Sequence, residues 1–356
     1  MAGSQVMRAA NVLFDAGMIV LCALLVIGGY LVAWADNRGL ITGNQLFSVW
    51  ALPLYAGFAA AAYVLFLHWT RRGRRAGAGL GSEYRFAVRG AALFIVALVG
   101  EFALRSVGEP PLEGPEAVLA PTRLGLFLAA ILLLSGPILS ISRRVRDETA
   151  AARVMSSQAA LLAIAIGLCF SVLTLLTGFV HPFVFAAGSD EQTVPLGVAG
   201  IALQALLLAG ALLVTVRLAP GVLGVVTIVA AVDGVLIAFI GAEPVFFVAL
   251  LAAGIAADVY MWRYGQRPTV SPLALAVGMA SVAALFFVGT YFVLLAVTRG
   301  IGWSPDLMVG SILLSMLLAA AAAAVVEWPR PGRADSRLAR TAPADTNPPD
   351  ADATIA

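Results

Sequence analysis

The sequence predicts an all-α fold: a polytopic integral membrane protein built as a bundle of about ten transmembrane helices. Hydrophobic residues make up 61% of the 356 positions and charged residues only 12%, roughly half the charged fraction of an ordinary soluble protein. Ten apolar stretches each approach the roughly 20 residues that a helix needs to cross the hydrocarbon core. The tryptophans lie near the ends of these stretches, where amphipathic indole rings prefer the headgroup boundary.

The apolar stretches together form one transmembrane domain over residues 1–328. We expect helices near 11–34, 46–68, 88–107, 122–142, 158–180, 196–217, 221–241, 244–262, 272–297 and 306–327. Polar and apolar residues do not alternate with a period of two, so helices rather than β-strands must satisfy the backbone in lipid. Most connections are short, which favours an arrangement of five helical hairpins.

Boundary residues support the first five helices in turn. Trp34 lies at the end of the first helix, and Trp50 and Trp69 flank the second. Arginines lie near both ends of the third and fourth helices, and His181-Pro182 follows the fifth. Proline terminates a helix because it lacks the backbone donor that a further turn would need.

The later helices have similar boundaries. Arg217 closes the sixth helix, Trp262 closes the eighth, and Trp303 and Trp328 flank the tenth. Residues 329–356 are rich in Pro, Ala, Asp and Arg and have almost no large apolar groups. Because such a segment cannot bury enough apolar surface to offset the entropy of ordering, we expect a disordered cytoplasmic tail.

The distribution of arginine predicts the orientation. With the N-terminus in the cytoplasm and ten crossings, 18 of the 22 basic residues lie on the inner side or at its boundary. Those on the outer side are Arg38, Arg105, Arg123 and Arg299. The positive-inside rule therefore predicts a multi-pass protein of the cytoplasmic (plasma) membrane, the inner membrane of a bacterial cell, with both termini in the cytoplasm.

An alternative topology begins with a cleaved signal peptide. Arg8, the apolar stretch after it, and Ala33 and Ala35 before Asp36 resemble a cleavage signal. The apolar stretch is longer than the roughly 7–15 residues usual in such signals and contains Asp15, which favours a retained first helix. Cleavage would leave nine crossings and an external N-terminus.

Polar side chains inside the predicted helices are candidates for function, because ionisable groups in a bilayer are costly. Asp233 is the deepest carboxylate, roughly 12 Å below the outer end of the seventh helix at a rise of 1.5 Å per residue. Gln204 in the sixth helix lies at nearly the same depth, as do Thr174 and Thr177 in the fifth. These depths allow the four side chains to meet if their helices turn the same faces inward.

Glu101 and Arg105 in the third helix are spaced so that they share one face and neutralise each other. One hypothesis is a polar pocket in the outer half of the bundle that binds substrate or protons and contains Asp233, Gln204, Glu101, Arg105, Thr174 and Thr177. The alternative is a set of separate interhelical hydrogen bonds, each worth about 1 kcal/mol or less.

Two further carboxylates lie near helix ends. Asp15 and Asp258 are about one turn from the predicted cytoplasmic ends of the first and eighth helices, where they can reach headgroups or nearby arginines. In the fourth helix, Ser135-Gly136-Pro137 predicts a kink, because proline removes one backbone hydrogen bond. We interpret this break mainly as a packing feature.

Several kinds of chemistry are disfavoured. His68 and His181 fall on opposite faces of the membrane, which excludes a bis-histidine haem and a multi-histidine metal site. Cys22 and Cys169 form no disulfide framework. The sequence has no phosphate-binding glycine loop, no paired-histidine metalloprotease motif and no convincing Ser/His/Asp grouping. We therefore expect no catalytic residue, metal or other cofactor, and no nucleotide or nucleic acid among the partners.

Three functional classes stay open. The first is a secondary transporter or permease-like protein for a small solute or ion, favoured by Asp233, the helix count and a weak resemblance between 158–217 and 272–327. The second is a non-catalytic subunit or assembly factor that binds other membrane subunits as well as lipid. The third, a membrane enzyme acting on lipid substrates, is less favoured because it would depend on His181 and outer carboxylates.

Overall fold

The computed structural model describes residues 2–41, 48–73, 82–106, 119–149, 155–178, 193–241, 244–267, 269–298 and 300–327. Throughout these ranges the ordered elements are helical and there is no β-strand. Short 3₁₀ turns cover Val49–Ala51 and Ser82–Tyr84. The described ranges contain ten α-helices: α1 (Ala2–Asn37), α2 (Leu52–Gly73), α3 (Arg85–Ser106), α4 (Pro121–Thr149), α5 (Ser157–Leu176), α6 (Thr193–Leu218), α7 (Val225–Gly241), α8 (Pro244–Tyr264), α9 (Pro272–Thr298) and α10 (Pro305–Glu327).

The all-α membrane fold is confirmed. In the described part of the chain, nine helices are long and apolar enough to cross a membrane, and the protein is therefore a multi-pass membrane protein. The remaining helix, α7, is shorter, with 17 residues and a length of about 25 Å. The predicted tail at 329–356, Trp328 and His181-Pro182 lie outside the described residues.

The start of α7 differs from the prediction, which began this helix at residue 221. Gly221 and Gly224 have φ angles of 76° and 85°, a left-handed conformation that glycine adopts without the steric penalty of a side chain. The chain therefore turns through these residues and enters the helix only at Val225. Apolar length alone could not reveal this turn.

The most deeply buried of the membrane-spanning helices is α5, whose residues are mostly apolar, as expected of a helix surrounded by protein. It packs mainly on α4 and α7 and makes smaller contacts with α1 and α6. Its chain neighbour α6 instead packs mainly on α10. The pairs α1–α2, α3–α4, α7–α8 and α9–α10 form the expected hairpins.

Glycines let α1 and α2 approach backbone to backbone. A Cβ atom at Gly28 would lie 2.1 Å from the backbone nitrogen of Leu54. Across the same crossing, a Cβ atom at Gly57 would lie 2.5 Å from the backbone nitrogen of Leu25. Close contact between helices in lipid depends on such small residues, so these two glycines fix how the first hairpin packs.

Gly28→Ala should destabilise the protein by about 2 kcal/mol, because the added methyl group overlaps a backbone atom that cannot move aside without separating the helices. Gly17 is the matched control, since it lies on the same helix with open space around it. Gly17→Ala should be neutral or slightly stabilising, because alanine is the better helix former. Equal losses of unfolding free energy in detergent would contradict this packing.

Candidate functional site

Asp233 lies on α7 where this helix packs against α5, and none of its surface is exposed. The Thr174 hydroxyl on α5 is 3.2 Å from Asp233 Oδ2 and also 3.2 Å from the backbone oxygen of Phe170. A hydroxyl has only one proton, so it can donate fully to just one of these acceptors. Among the described residues, Asp233 Oδ1 has no hydrogen-bond partner.

The close approach of α5 and α7 holds Asp233 in this position. A Cβ atom at Gly167 would lie 2.8 Å from the Cβ atom of Val232, so glycine is needed where the two helices touch. On α5, the hydroxyl of Ser171 donates to the backbone oxygen of Gly167 at 2.9 Å. The buried hydroxyl of Tyr30 on α1 donates to the backbone oxygen of Ser171, also at 2.9 Å. Three helices therefore meet around the carboxylate.

Two other predicted residues form a second contact beside this one. Gln204 on α6 donates through Nε2 to the hydroxyl oxygen of Thr177 at 3.1 Å. Thr177 caps the C-terminus of α5, one helical turn beyond Thr174. The structure thus brings Thr174 to Asp233 and Gln204 to Thr177. The two contacts are one turn of α5 apart and join this helix to α7 and α6.

Glu101 lies apart from this group. It is buried on α3, where the Thr122 hydroxyl at the start of α4 donates to Glu101 Oε2 at 2.5 Å. α3 packs chiefly on α4 and makes a smaller contact with α2. The side chain of Arg105 lies outside the described residues, so its predicted pairing with Glu101 stays a prediction.

A second polar cluster surrounds Asp15, which is 1% exposed on α1. Its carboxylate accepts hydrogen bonds from Tyr84 and from Arg144, and Ser140 donates to it at 2.9 Å. Arg144 also donates through Nε to Gln158 at 3.0 Å. Of the two partners expected for Asp15, headgroups or arginines, the structure has an arginine. The cluster joins α1, α4, α5 and the turn before α3.

The Ser135-Gly136-Pro137 sequence in α4 makes room for Tyr84. A Cβ atom at Gly136 would lie 2.7 Å from the Tyr84 ring, so the ring can sit against α4 only because residue 136 is glycine. Burial, and then the neighbouring Asp15 carboxylate, raise the pKa of the Tyr84 phenol well above its usual value. The phenol therefore stays protonated and donates to Asp15.

Asp258 on α8 supports the start of α7. Its Oδ2 atom accepts from the backbone nitrogen of Thr227 at 2.9 Å and from the Thr227 hydroxyl at 2.6 Å. A carboxylate in this position satisfies unpaired amide groups of the first turn and complements the positive end of the helix dipole. The contact is close because Gly254 of α8 leaves space for the Thr227 backbone.

Comparison with known proteins gives no relative. No family model, curated protein or solved structure matches this chain. Within the described ranges, no group of three or more His, Cys, Asp or Glu residues could hold a metal ion. His68, the histidine that is described, stacks on Phe14 with ring centroids 4.1 Å apart.

Proposed function

We propose that this membrane protein is a secondary transporter for a small solute or ion, and that Asp233 binds the coupling proton or cation. The supporting observation is a carboxylate with no exposed surface whose second oxygen has no hydrogen-bond partner among the described residues. A buried, ionised carboxylate without a cationic partner is strongly unfavourable. A bound proton or small cation would remove that penalty.

The other buried aspartates differ from Asp233 in this respect. Asp15 has an arginine, a phenol and a hydroxyl as donors, and Asp258 accepts twice from Thr227. Asp15, Glu83 and Glu327 each form an ion pair with an arginine, and among the described residues no ion pair to Asp233 is found. Asp15 and Asp258 therefore each help to hold neighbouring helices together, whereas Asp233 has an oxygen without a partner that can take up a proton or cation.

Charge on Asp233 would couple binding to a change in conformation. An ionised carboxylate favours a state in which water reaches the α5–α7 contact, while a neutral one favours the packed state. A proton or cation that binds Asp233 thus shifts the population toward the closed form by its difference in affinity for the two states. The contact of Gln204 with Thr177 lies one turn of α5 beyond the contact of Thr174 with Asp233. The opening would therefore be lined by Thr174, Thr177 and Gln204.

Cysteine labelling tests whether water reaches this site. The labelling is done in a background in which Cys22 and Cys169 are replaced by Ala, across a range of pH values and with a panel of small solutes. In at least one of these conditions, a cysteine at position 174 should react with a membrane-impermeant thiol reagent. The reason is that transport requires an open state, although Thr174 is 2% exposed in the packed one. A cysteine at Val172, which is buried two residues away on a different face of α5, is the matched control and should stay protected.

Two outcomes would contradict the proposal. One is uniform protection of cysteines at positions 174, 204 and 233 across pH values and a panel of small solutes. The other is stoichiometric co-purification of further membrane subunits from mild detergent, which would favour the subunit or assembly role. A transporter should instead purify as a stable protein without partners of another kind.

A further inference from the structure

A groove lies where α6, α7, α8 and α9 meet at one end of the bundle. Its volume is about 530 Å³, within the range of roughly 300–1,000 Å³ that is typical of ligand sites. The walls come from the end of α6, the turn at 219–224, the end of α8 and the start of α9. Among the described residues that line it, Asp258 is the only ionisable one.

Charged groups of both signs surround the groove. The C-terminal ends of α6 and α8 and the N-terminal ends of α7 and α9 adjoin it. Helix ends carry about half an elementary charge each, negative at C-termini and positive at N-termini, so these four cancel in pairs. The carboxylate of Asp258, which is 6% exposed, is thus the negative group of the lining, while the exposed Arg263 and Arg267 beside the lining residues are positive. The groove therefore suits a ligand that carries both a cationic and an anionic group.

The rest of the groove matches an amphipathic molecule in a membrane. Thr215 and Gln266 add polar atoms, while most other lining residues are apolar, among them Val216 and Leu223. Trp262 lines the groove with 60% of its surface exposed, and tryptophan prefers the level of the lipid headgroups. A ligand seated here could place a cationic head beside Asp258 and an apolar chain against the wall.

We propose that this groove binds the headgroup of an amine-bearing phospholipid, with its primary ammonium against the Asp258 carboxylate. Thr227 donates two hydrogen bonds to Oδ2 and so holds the carboxylate in place. The hydroxyl of Thr215, which donates to the backbone oxygen of Ala211 at 2.7 Å, keeps lone pairs for an ammonium proton. Exposed Arg263 and Arg267 adjoin the lining residues in the chain and suit the lipid phosphate. This site does not depend on Asp233.

Native mass spectrometry of the delipidated full-length protein tests the proposal with two probes of equal chain length, phosphatidylethanolamine and phosphatidylcholine. The wild type should bind phosphatidylethanolamine about tenfold more tightly, because a quaternary ammonium cannot donate hydrogen bonds to the carboxylate. Asp258→Asn should remove this preference while keeping an oxygen for the backbone amide of Thr227. The matched control is Asp306→Asn, an exposed aspartate in the first turn of α10, which should leave the preference unchanged.

A second variant and a soluble competitor keep the test decisive even if Asp258→Asn folds poorly. Val216→Trp, which fills the groove and leaves Asp258 in place, should weaken binding of both lipids. Phosphoethanolamine without acyl chains should compete weakly; displacement of the lipid at similar concentrations would show that the groove takes a soluble amine instead. Equal wild-type affinity for the two lipids, or a full preference retained by Asp258→Asn, would overturn the proposal.

Discussion

Asp233→Asn should abolish coupled solute uptake, bringing it down to the level of protein-free vesicles. Asparagine has nearly the same shape and can still accept a hydrogen bond from Thr174, which contacts Asp233 Oδ2, so the packing of α5 on α7 should survive. It cannot take up a proton or carry the negative charge that attracts a cation. The variant therefore separates the chemistry of the carboxyl group from its place in the fold.

The measurement uses proteoliposomes that contain a pH-sensitive dye and are exposed in turn to a panel of small solutes. A solute gradient that moves protons, or sodium in a parallel assay, in wild-type vesicles identifies the transported class. The same solute should then give no signal with Asp233→Asn and a partial signal with Asp233→Glu, since glutamate keeps a titratable carboxyl group. Unchanged uptake by Asp233→Asn would remove Asp233 from the mechanism.

Glu101→Gln is the matched control for this result. Glu101 is also a buried carboxylate that accepts a hydrogen bond from a threonine, Thr122. It lies between α3 and α4, away from the contact of α5 with α7. We expect this variant to keep most of the uptake, and an equal loss in both variants would indicate a general effect of removing buried carboxylates.

Most of the fold could be predicted because lipid restricts what a chain can do. A segment that crosses the hydrocarbon must be helical and about 20 residues long, so apolar length locates helices such as α5 and α9 closely. The start of α7 could not be found in this way. Its beginning depends on the left-handed backbone of Gly221 and Gly224, and glycine in an apolar stretch is equally compatible with a helix.

The candidate site could be predicted only in part. The constant rise of a helix gives the depth of each residue in the membrane. Thr174 and Asp233 have similar predicted depths, and in the structure Thr174 Oγ1 is 3.2 Å from Asp233 Oδ2. Which helices are neighbours is a separate matter, decided by close contacts such as that between Gly167 and Val232. The sequence carries no simple signal for such pairs, and so Glu101, at a suitable depth, proved to lie on a helix that packs elsewhere.

The cluster around Asp15 was missed for the same reason. Its partners Tyr84, Ser140 and Arg144 are 69, 125 and 129 positions away in the chain. Each could be placed near the predicted cytoplasmic end of its helix, but nothing in the sequence says that α1 and α4 touch there. Gly136, which makes room for Tyr84, was one usable signal, because small residues in membrane helices permit close contact with a neighbour.

Asp15→Asn should lower the free energy of unfolding by about 3 kcal/mol, since it leaves a partly buried arginine without its counter-ion. In the pair of Arg144 with Asp15, the side chains are 22% and 2% exposed. The adjacent residue on α4, Arg143, pairs with Glu83, and there the side chains are 60% and 21% exposed. The two pairs have the same chemistry and differ mainly in burial.

Glu83→Gln is therefore the matched control and should lower the unfolding free energy by less than about 1 kcal/mol, because water screens an exposed pair. Both variants would be measured by reversible unfolding of the detergent-solubilised protein. The double variant Asp15→Asn/Arg144→Gln should be more stable than the sum of the single losses predicts, since neither charge is then left alone. Similar losses in Asp15→Asn and Glu83→Gln would mean that the buried pair contributes no more than a surface one.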